Sequence, residues 1–176
     1  MLEKGKGTDN ISIGANIGVV ECAKWIPKWR IEKYHGDAKP ENLYAVEEFD
    51  GNLLLNEGIT EMLKLLIGGT ATPFNNANAR IGVGDSSTAA AATQTGLQAA
   101  TNKAWRPMDA TYPQVSGQTV TFRATFGSGV AAFAWNEFTV VNSADDTGKN
   151  LCRKVEAHGS KASTDTWVVQ VQITIS

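Results

Sequence analysis

The strictest pattern in the chain lies at its end. In residues 166–176, Trp167, Val169, Val171, Ile173 and Ile175 occupy every second position, with Gln170, Gln172 and Thr174 between them. A period of two sorts side chains onto the opposite faces of a strand, whereas a helix would scatter them around its axis. The same alternation recurs in residues 119–126, where Val120, Phe122, Ala124 and Phe126 interleave with Thr119, Thr121, Arg123 and Thr125. Each strand should therefore have one buried and one wet face, as antiparallel sheets do. After Gly127-Ser128-Gly129, residues 130–141 carry Phe133, Trp135, Phe138, Val140 and Val141. This predicts the second arm of a hairpin, with Asn136-Glu137 interrupting the alternation as a bulge. Residues 151–155 and 79–83 read as shorter strands, the latter ending in a tight Gly84-Asp85 turn. The expected fold is mainly β: an antiparallel β-sandwich, jelly-roll-like, with one core α-helix and an extended N-terminal arm.

The helix is expected over residues 56–67. Asn56 is a good N-cap residue, Ile59, Met62, Leu63, Leu66 and Ile67 share one stripe, and Gly68-Gly69 stops the run. Glu57 and Glu61 near its start and Lys64 near its end agree with the helix dipole. The stripe reads as a face turned to the core, where Leu63 would be buried.

Charge divides the chain unevenly. Residues 1–50 carry 16 of the 34 charged residues, and the division predicted from this is an N-terminal arm and β-ribbon over 1–50 and a sandwich domain over 51–176. The arm opens with Gly5, Gly7, Gly14 and Gly18 around Ile11, Ile13 and Ile17, too rich in glycine for a helix and irregular for a central strand. Beyond Pro27, the alternation of Trp29, Ile31 and Lys33 with Lys28, Arg30 and Glu32 predicts an edge strand, paired with a second short strand over residues 43–49. By contrast, residues 86–102 hold no charge at all. A solvated connection of that length normally carries some, so this segment is expected to pack closely, on its own domain or on a neighbouring subunit.

No chemistry-bearing constellation emerges. Gly82-Val83-Gly84-Asp85 lacks the lysine of a phosphate loop. Ser86 and Ser87 do not stand in a nucleophile elbow. His35 and His158 have no ligand at metal-binding spacing, and both are expected in turns beside Gly36 and Gly159. Glu47, Glu48 and Asp50 match no calcium loop and read as a solvated acidic face. Glu137 and Arg153 lie in two strands whose pairing would set carboxylate against guanidinium, which predicts a structural ion pair. Cys22 and Cys152 are 130 residues apart, with no CxxC, and are expected to be reduced. The aromatics fall mostly on strand faces and read as core, with Trp105, between Lys103 and Arg106, as the exception. With a net charge of -2, neither nucleic acid nor an anionic membrane is an expected partner. No signal-peptide segment or membrane span is read from the apolar runs. The sequence is not expected to be an enzyme or to hold a cofactor or metal.

Taken in order, several segments carry a resemblance. Gly51-Asn52-Leu53-Leu54-Leu55-Asn56-Glu57-Gly58-Ile59 leads into the helix, followed by Ala79-Arg80-Ile81-Gly82-Val83-Gly84-Asp85 and the alanine- and threonine-rich stretch. Residues 119–126, Phe133-Ala134-Trp135-Asn136-Glu137-Phe138, Leu151-Cys152-Arg153-Lys154-Val155 and the segment from Thr166-Trp167 onward complete the series. Over residues 43–176 this resembles a family of small virion structural proteins of tailed bacteriophages. The resemblance implies assembly: a capsid decoration or cement protein that binds the major capsid protein or other virion proteins, as a homo-oligomer or lattice-bound array within the virion. It also allows a tail, baseplate or fibre component. Long fibres, however, usually show repeats or heptads, and neither is visible. A carbohydrate-binding module is the remaining alternative. Candidate partner-binding residues are Ile11, Ile13 and Ile17 in the arm, Ala91, Thr93 and Leu97 in the uncharged segment, and Trp105.

Overall fold

The computed structural model describes residues 23–176. Among the described residues the strands are β1 (Trp25–His35), β2 (Leu43–Asp50), β3 (Leu53–Leu54), β4 (Arg80–Gly84), β5 (Lys103–Pro107), β6 (Gln114–Ser116), β7 (Thr119–Phe126), β8 (Glu137–Val141), β9 (Asn150–Val155) and β10 (Asp165–Ile175), and the single α-helix is α1 (Asn56–Leu66). They form two antiparallel five-stranded sheets, ordered β2-β1-β10-β7-β6 and β3-β9-β8-β4-β5. The mainly β sandwich expected from the alternation is the observed architecture. Its core is the alternating set: Trp29, Ile31, Phe122, Phe126, Val169, Val171 and Ile173 from the first sheet meet Ile81, Val83, Phe138, Val140 and Cys152 from the second.

Three expectations need correction. First, β1 is interior rather than an edge, flanked by β2 and by β10, with Trp29 opposite both Phe49 and Val171. Pro27 is tolerated because β2 has ended there: the last β2 register pair is Lys28 with Asp50, and the Pro27 carbonyl accepts from the Gly51 N–H at 3.1 Å. Residues 25–50 are thus part of the sandwich, and no boundary at residue 50 separates them from it. The edge is β2 instead.

Second, β7 and β8 are not a hairpin, since they belong to different sheets. The intervening residues cross between the layers, and Trp135 on this crossing is fully buried. Alternating apolar residues register burial equally well on a strand and on a crossing segment. The Asn136-Glu137 interruption marks the start of β8, not a bulge: the Asn136 N–H donates to the Gly84 carbonyl and its side chain to the Asp85 carbonyl, both at 2.8 Å, closing the pairing with β4.

Third, α1 is turned the other way. Asn56 is its first residue, while Leu55 occupies the cap position in extended conformation and has no capping side chain. The helix ends at Leu66, with Ile67 as its C-terminal cap. The side facing the protein carries Gly58 and Glu61, with Met62 half-buried beside them. Glu57 accepts from the Asn150 N–H at 2.7 Å and Glu61 from the Thr72 N–H at 2.8 Å, so polar contacts fasten the helix. The apolar stripe faces outward.

Of the two alternatives for the uncharged segment, its C-terminal part takes the first and packs on its own chain, where Leu97 and Ala99 are buried.

The turn of the helix has a measurable consequence. A Cβ on Gly58 would run into the Leu151 carbonyl oxygen and lie 2.7 Å from the Leu151 Cα and 2.8 Å from the Asn150 carbonyl oxygen, all backbone that cannot swing aside. Gly58→Ala is therefore expected to destabilise the protein by about 1–3 kcal/mol in urea denaturation, despite alanine's better helix propensity. Leu63→Ala, at a position 57% exposed, should change stability by no more than about 0.5 kcal/mol. The opposite ranking would restore the inward-facing stripe.

Candidate docking surface and polar clusters

The outward side of α1 and its tip carry the two most exposed large hydrophobic side chains among the described residues. Ile59, Leu63, Leu66 and the capping Ile67 are 37%, 57%, 80% and 81% exposed. The cause is local. Because Gly58 and Glu61 are drawn onto β9 and the residues around Thr72 and Asn142, the positions on the opposite side of the helix, Ile59, Leu63, Leu66 and Ile67, must point away. Gly68-Gly69 then ends the helix and leaves the last two aliphatic side chains at its tip.

The predicted ion pair exists, at the centre of the second sheet. Glu137 and Arg153 have no exposed side-chain surface. Arg153 Nε donates to Glu137 Oε2 at 2.9 Å, and Nη2 lies 2.7 Å from the same oxygen without an aligned hydrogen bond. The carboxylate also accepts the backbone N–H groups of Gln98 (2.9 Å) and Ala99 (2.8 Å), while Arg153 Nη1 donates to the Thr88 carbonyl (2.9 Å) and Gln94 Oε1 (3.0 Å). An ion pair from β8 and β9 thus clamps the uncharged segment at both ends. Every strong contact of the pair is internal, which makes it structural.

A second cluster joins the β1–β2 edge to the loop before β10. The buried Lys33 ammonium donates to Glu47 Oε1 at 2.5 Å and to the His158 carbonyl at 2.7 Å, and sits 4.2 Å from the centre of the Trp167 ring. His158 Nδ1 is 2.7 Å from Glu47 Oε2, and its ring lies 4.0 Å from that of Phe49. Burial works to raise the Glu47 pKa, but hydrogen bonds from Lys33 and His158 outweigh it and hold the carboxyl below its ordinary value. In the acidic run, Glu48 and Asp50 are exposed, while Glu47 is partly exposed and paired with the buried Lys33 and His158. His35 is largely exposed at the end of β1, with its ring stacked on Tyr44.

The other candidates are dispersed. Ala91 and Thr93 are exposed, whereas Leu97 is buried in its own chain and offers a partner nothing, which corrects its place among the docking residues. Trp105 is half-buried, with its ring packed against Gly82: a Cβ there would come within 2.7 Å of the indole. That contact fixes one side of the ring within its own sheet. Ile11, Ile13 and Ile17 lie outside the described residues, as does Cys22. Burial pushes the Cys152 thiol up to about 12, which keeps it protonated and unreactive. Among the described residues no group of three or more His, Cys, Asp or Glu is placed to hold a metal ion, and no helix is long and apolar enough to cross a membrane.

The chain matches no family model, no curated protein and no solved structure. The candidate site accordingly rests on the geometry of α1. Sequence reasoning found the stripe's residues but assigned them inward. The signal that could have turned them outward was Gly58, a glycine in mid-helix, which marks close backbone approach on its own side.

Proposed function

We propose that this protein is a structural component of a tailed-bacteriophage virion, a capsid decoration or cement protein that binds the head lattice. The observation that carries the reading is the α1 face: aliphatic side chains at consecutive turns, held outward by the packing of Gly58 and Glu61, on a domain whose other apolar residues are mostly interior. Contiguous exposed apolar surface of this kind marks protein–protein contact. The clusters of charged side chains described above are consumed by internal contacts, which agrees with an assembly role rather than turnover. The resemblance over residues 43–176 supplies the setting, and the lattice supplies a partner surface repeated many times.

The test is incorporation. Particles purified from an infection with the parental gene should carry the protein in stoichiometric amount on the head, located by antibody labelling or density in the reconstructed particle. The variant Leu63→Asp/Leu66→Asp should unfold like the parent and fall at least about tenfold in incorporation. Label on the tail would move the reading to a tail or baseplate component, and absence of the protein from purified particles would end it.

A further inference from the structure

We infer that the outward side of α1 docks on the same side of a second copy of this chain, with the two helices antiparallel about a two-fold axis beside Leu63. This rests on reading that side as a protein-contact surface, and it names the partner.

The stripe is its own complement. Ile59, Leu63 and Ile67 stand at intervals of four, and the bond of 3.3 Å from the Ile67 N–H to the Leu63 carbonyl carries the helical spacing on to the capping residue. Residues four apart form one of the ridges along which helices pack. Read from either end, this ridge is isoleucine, leucine, isoleucine. A two-fold contact demands such symmetry, because the same patch must serve both sides and each contact occurs twice. With the axis beside Leu63, Ile59 of one copy lies against Ile67 of the other, and Leu63 lies against its own counterpart. A partner unrelated to this chain would place no such requirement on the ridge.

Charge leaves the ridge clear. Glu57 and Glu61 are turned inward onto the Asn150 and Thr72 N–H groups, so neither carboxylate lies on the outward side. Lys64 is the remaining charged residue of α1. It follows Leu63 by about 100° around the helix, on the flank, where its long stem keeps the ammonium in water. Two copies can therefore close their ridges together without stranding an ion.

Area sets the strength. The exposed parts of Ile59, Leu63, Leu66 and Ile67 amount to roughly 450 Å² in one copy and ~900 Å² in a pair, against about 1,200 Å² where stable interfaces begin. The dimer is accordingly weak, with a dissociation constant of about 0.1 mM. Weak pairing suits copies that meet on a lattice, where two linked subunits hold with an avidity that neither has alone.

The experiment uses the full chain carrying Cys22→Ser, in which the buried Cys152 is the remaining thiol. Sedimentation equilibrium from about 5 to about 500 µM should show a reversible passage from monomer to dimer. Leu63→Asp/Leu66→Asp sets carboxylates into the seam and should weaken association at least about tenfold, with the thermal midpoint unchanged. The register is tested by oxidation. Leu63→Cys should form a disulfide-linked dimer, because helices crossing at about 8–10 Å bring the two Cα atoms beside the axis within reach of a disulfide. Ile59→Cys should yield at least about fivefold less, since it stands ~6 Å along the helix from the axis and ~12 Å from its own counterpart. A chain that stays monomeric to about 500 µM, leaving α1 to a different protein, would overturn the inference. So would a dimer indifferent to the aspartates, or Ile59→Cys linking as readily as Leu63→Cys. The virion reading fails separately, through absence of the protein from purified particles, and that result would leave the dimer standing.

Discussion

Trp135→Ala is expected to destabilise the protein by about 3–5 kcal/mol, a large share of the roughly 5–15 kcal/mol that holds a typical domain folded. Trp135 is fully buried between the sheets, with edge contacts to Phe126 and Trp167 at ring separations of 4.8 and 4.7 Å, and its indole N–H donates to the Ala131 carbonyl at 3.0 Å. Its backbone is also fixed, since its N–H donates to the Gly159 carbonyl and its own carbonyl accepts from His158, both at 2.9 Å. The residue therefore anchors the crossing between β7 and β8 from both sides, and truncation opens a cavity that fixed neighbours cannot fill. Trp135→Phe keeps a ring but loses volume and the hydrogen bond, so its cost should fall between parent and alanine. Urea denaturation followed by far-ultraviolet circular dichroism is the measurement. A loss below about 1 kcal/mol for the alanine variant would mean that the crossing collapses onto the gap, and that Trp135 is not the anchor described.

The alternation made the strands legible, because a side-chain period of two has no competing explanation over eight or eleven residues. For β7 and β10, sequence and structure agree nearly residue for residue. The pairing of strands was less legible. Phe133 and Trp135 announce burial, but nothing local distinguishes a return within one sheet from a passage to the other, a choice made by the whole core. The Glu137–Arg153 pair could be anticipated since both groups interrupt apolar strands and had to be neutralised by something near. The orientation of α1 was misread for a specific reason. Five aliphatic residues favour burial by weight of hydrophobicity, but a helix docks with the side that fits, and here Gly58 permits an approach to Leu151 that no side chain would allow. Glu61 then finds the Thr72 N–H and the Asn142 amide, satisfying a buried carboxylate whose burial no sequence pattern announces. The surface that carries the functional reading is thus the one whose residues were identified and whose direction was not.

Breaking the ion pair at one end should nearly match the tryptophan in cost and differ from it in kind. Glu137→Ala leaves the Arg153 guanidinium fully buried and without its carboxylate, and it orphans the N–H groups of Gln98 and Ala99 together. An uncompensated buried charge of this kind costs about 3–5 kcal/mol. The double substitution Glu137→Leu/Arg153→Met removes both charges at similar volume, and by the same reasoning it should recover most of the loss at the level of the ion pair. It cannot restore the contacts to the uncharged segment. Gln98 and Ala99 would still lack an acceptor, and Thr88 and Gln94 would lose their donor. Two readouts should therefore separate: the global denaturation midpoint returns toward the parent, while hydrogen exchange at the Gln98 and Ala99 amides stays fast. If the double variant regains protection at those amides, the segment is held by the burial of Leu97 and Ala99 rather than by the clamp. If it stays as unstable as Glu137→Ala, the orphaned segment rather than the unpaired arginine sets the cost, and the ion pair matters to this fold chiefly as the fastening of its uncharged strap.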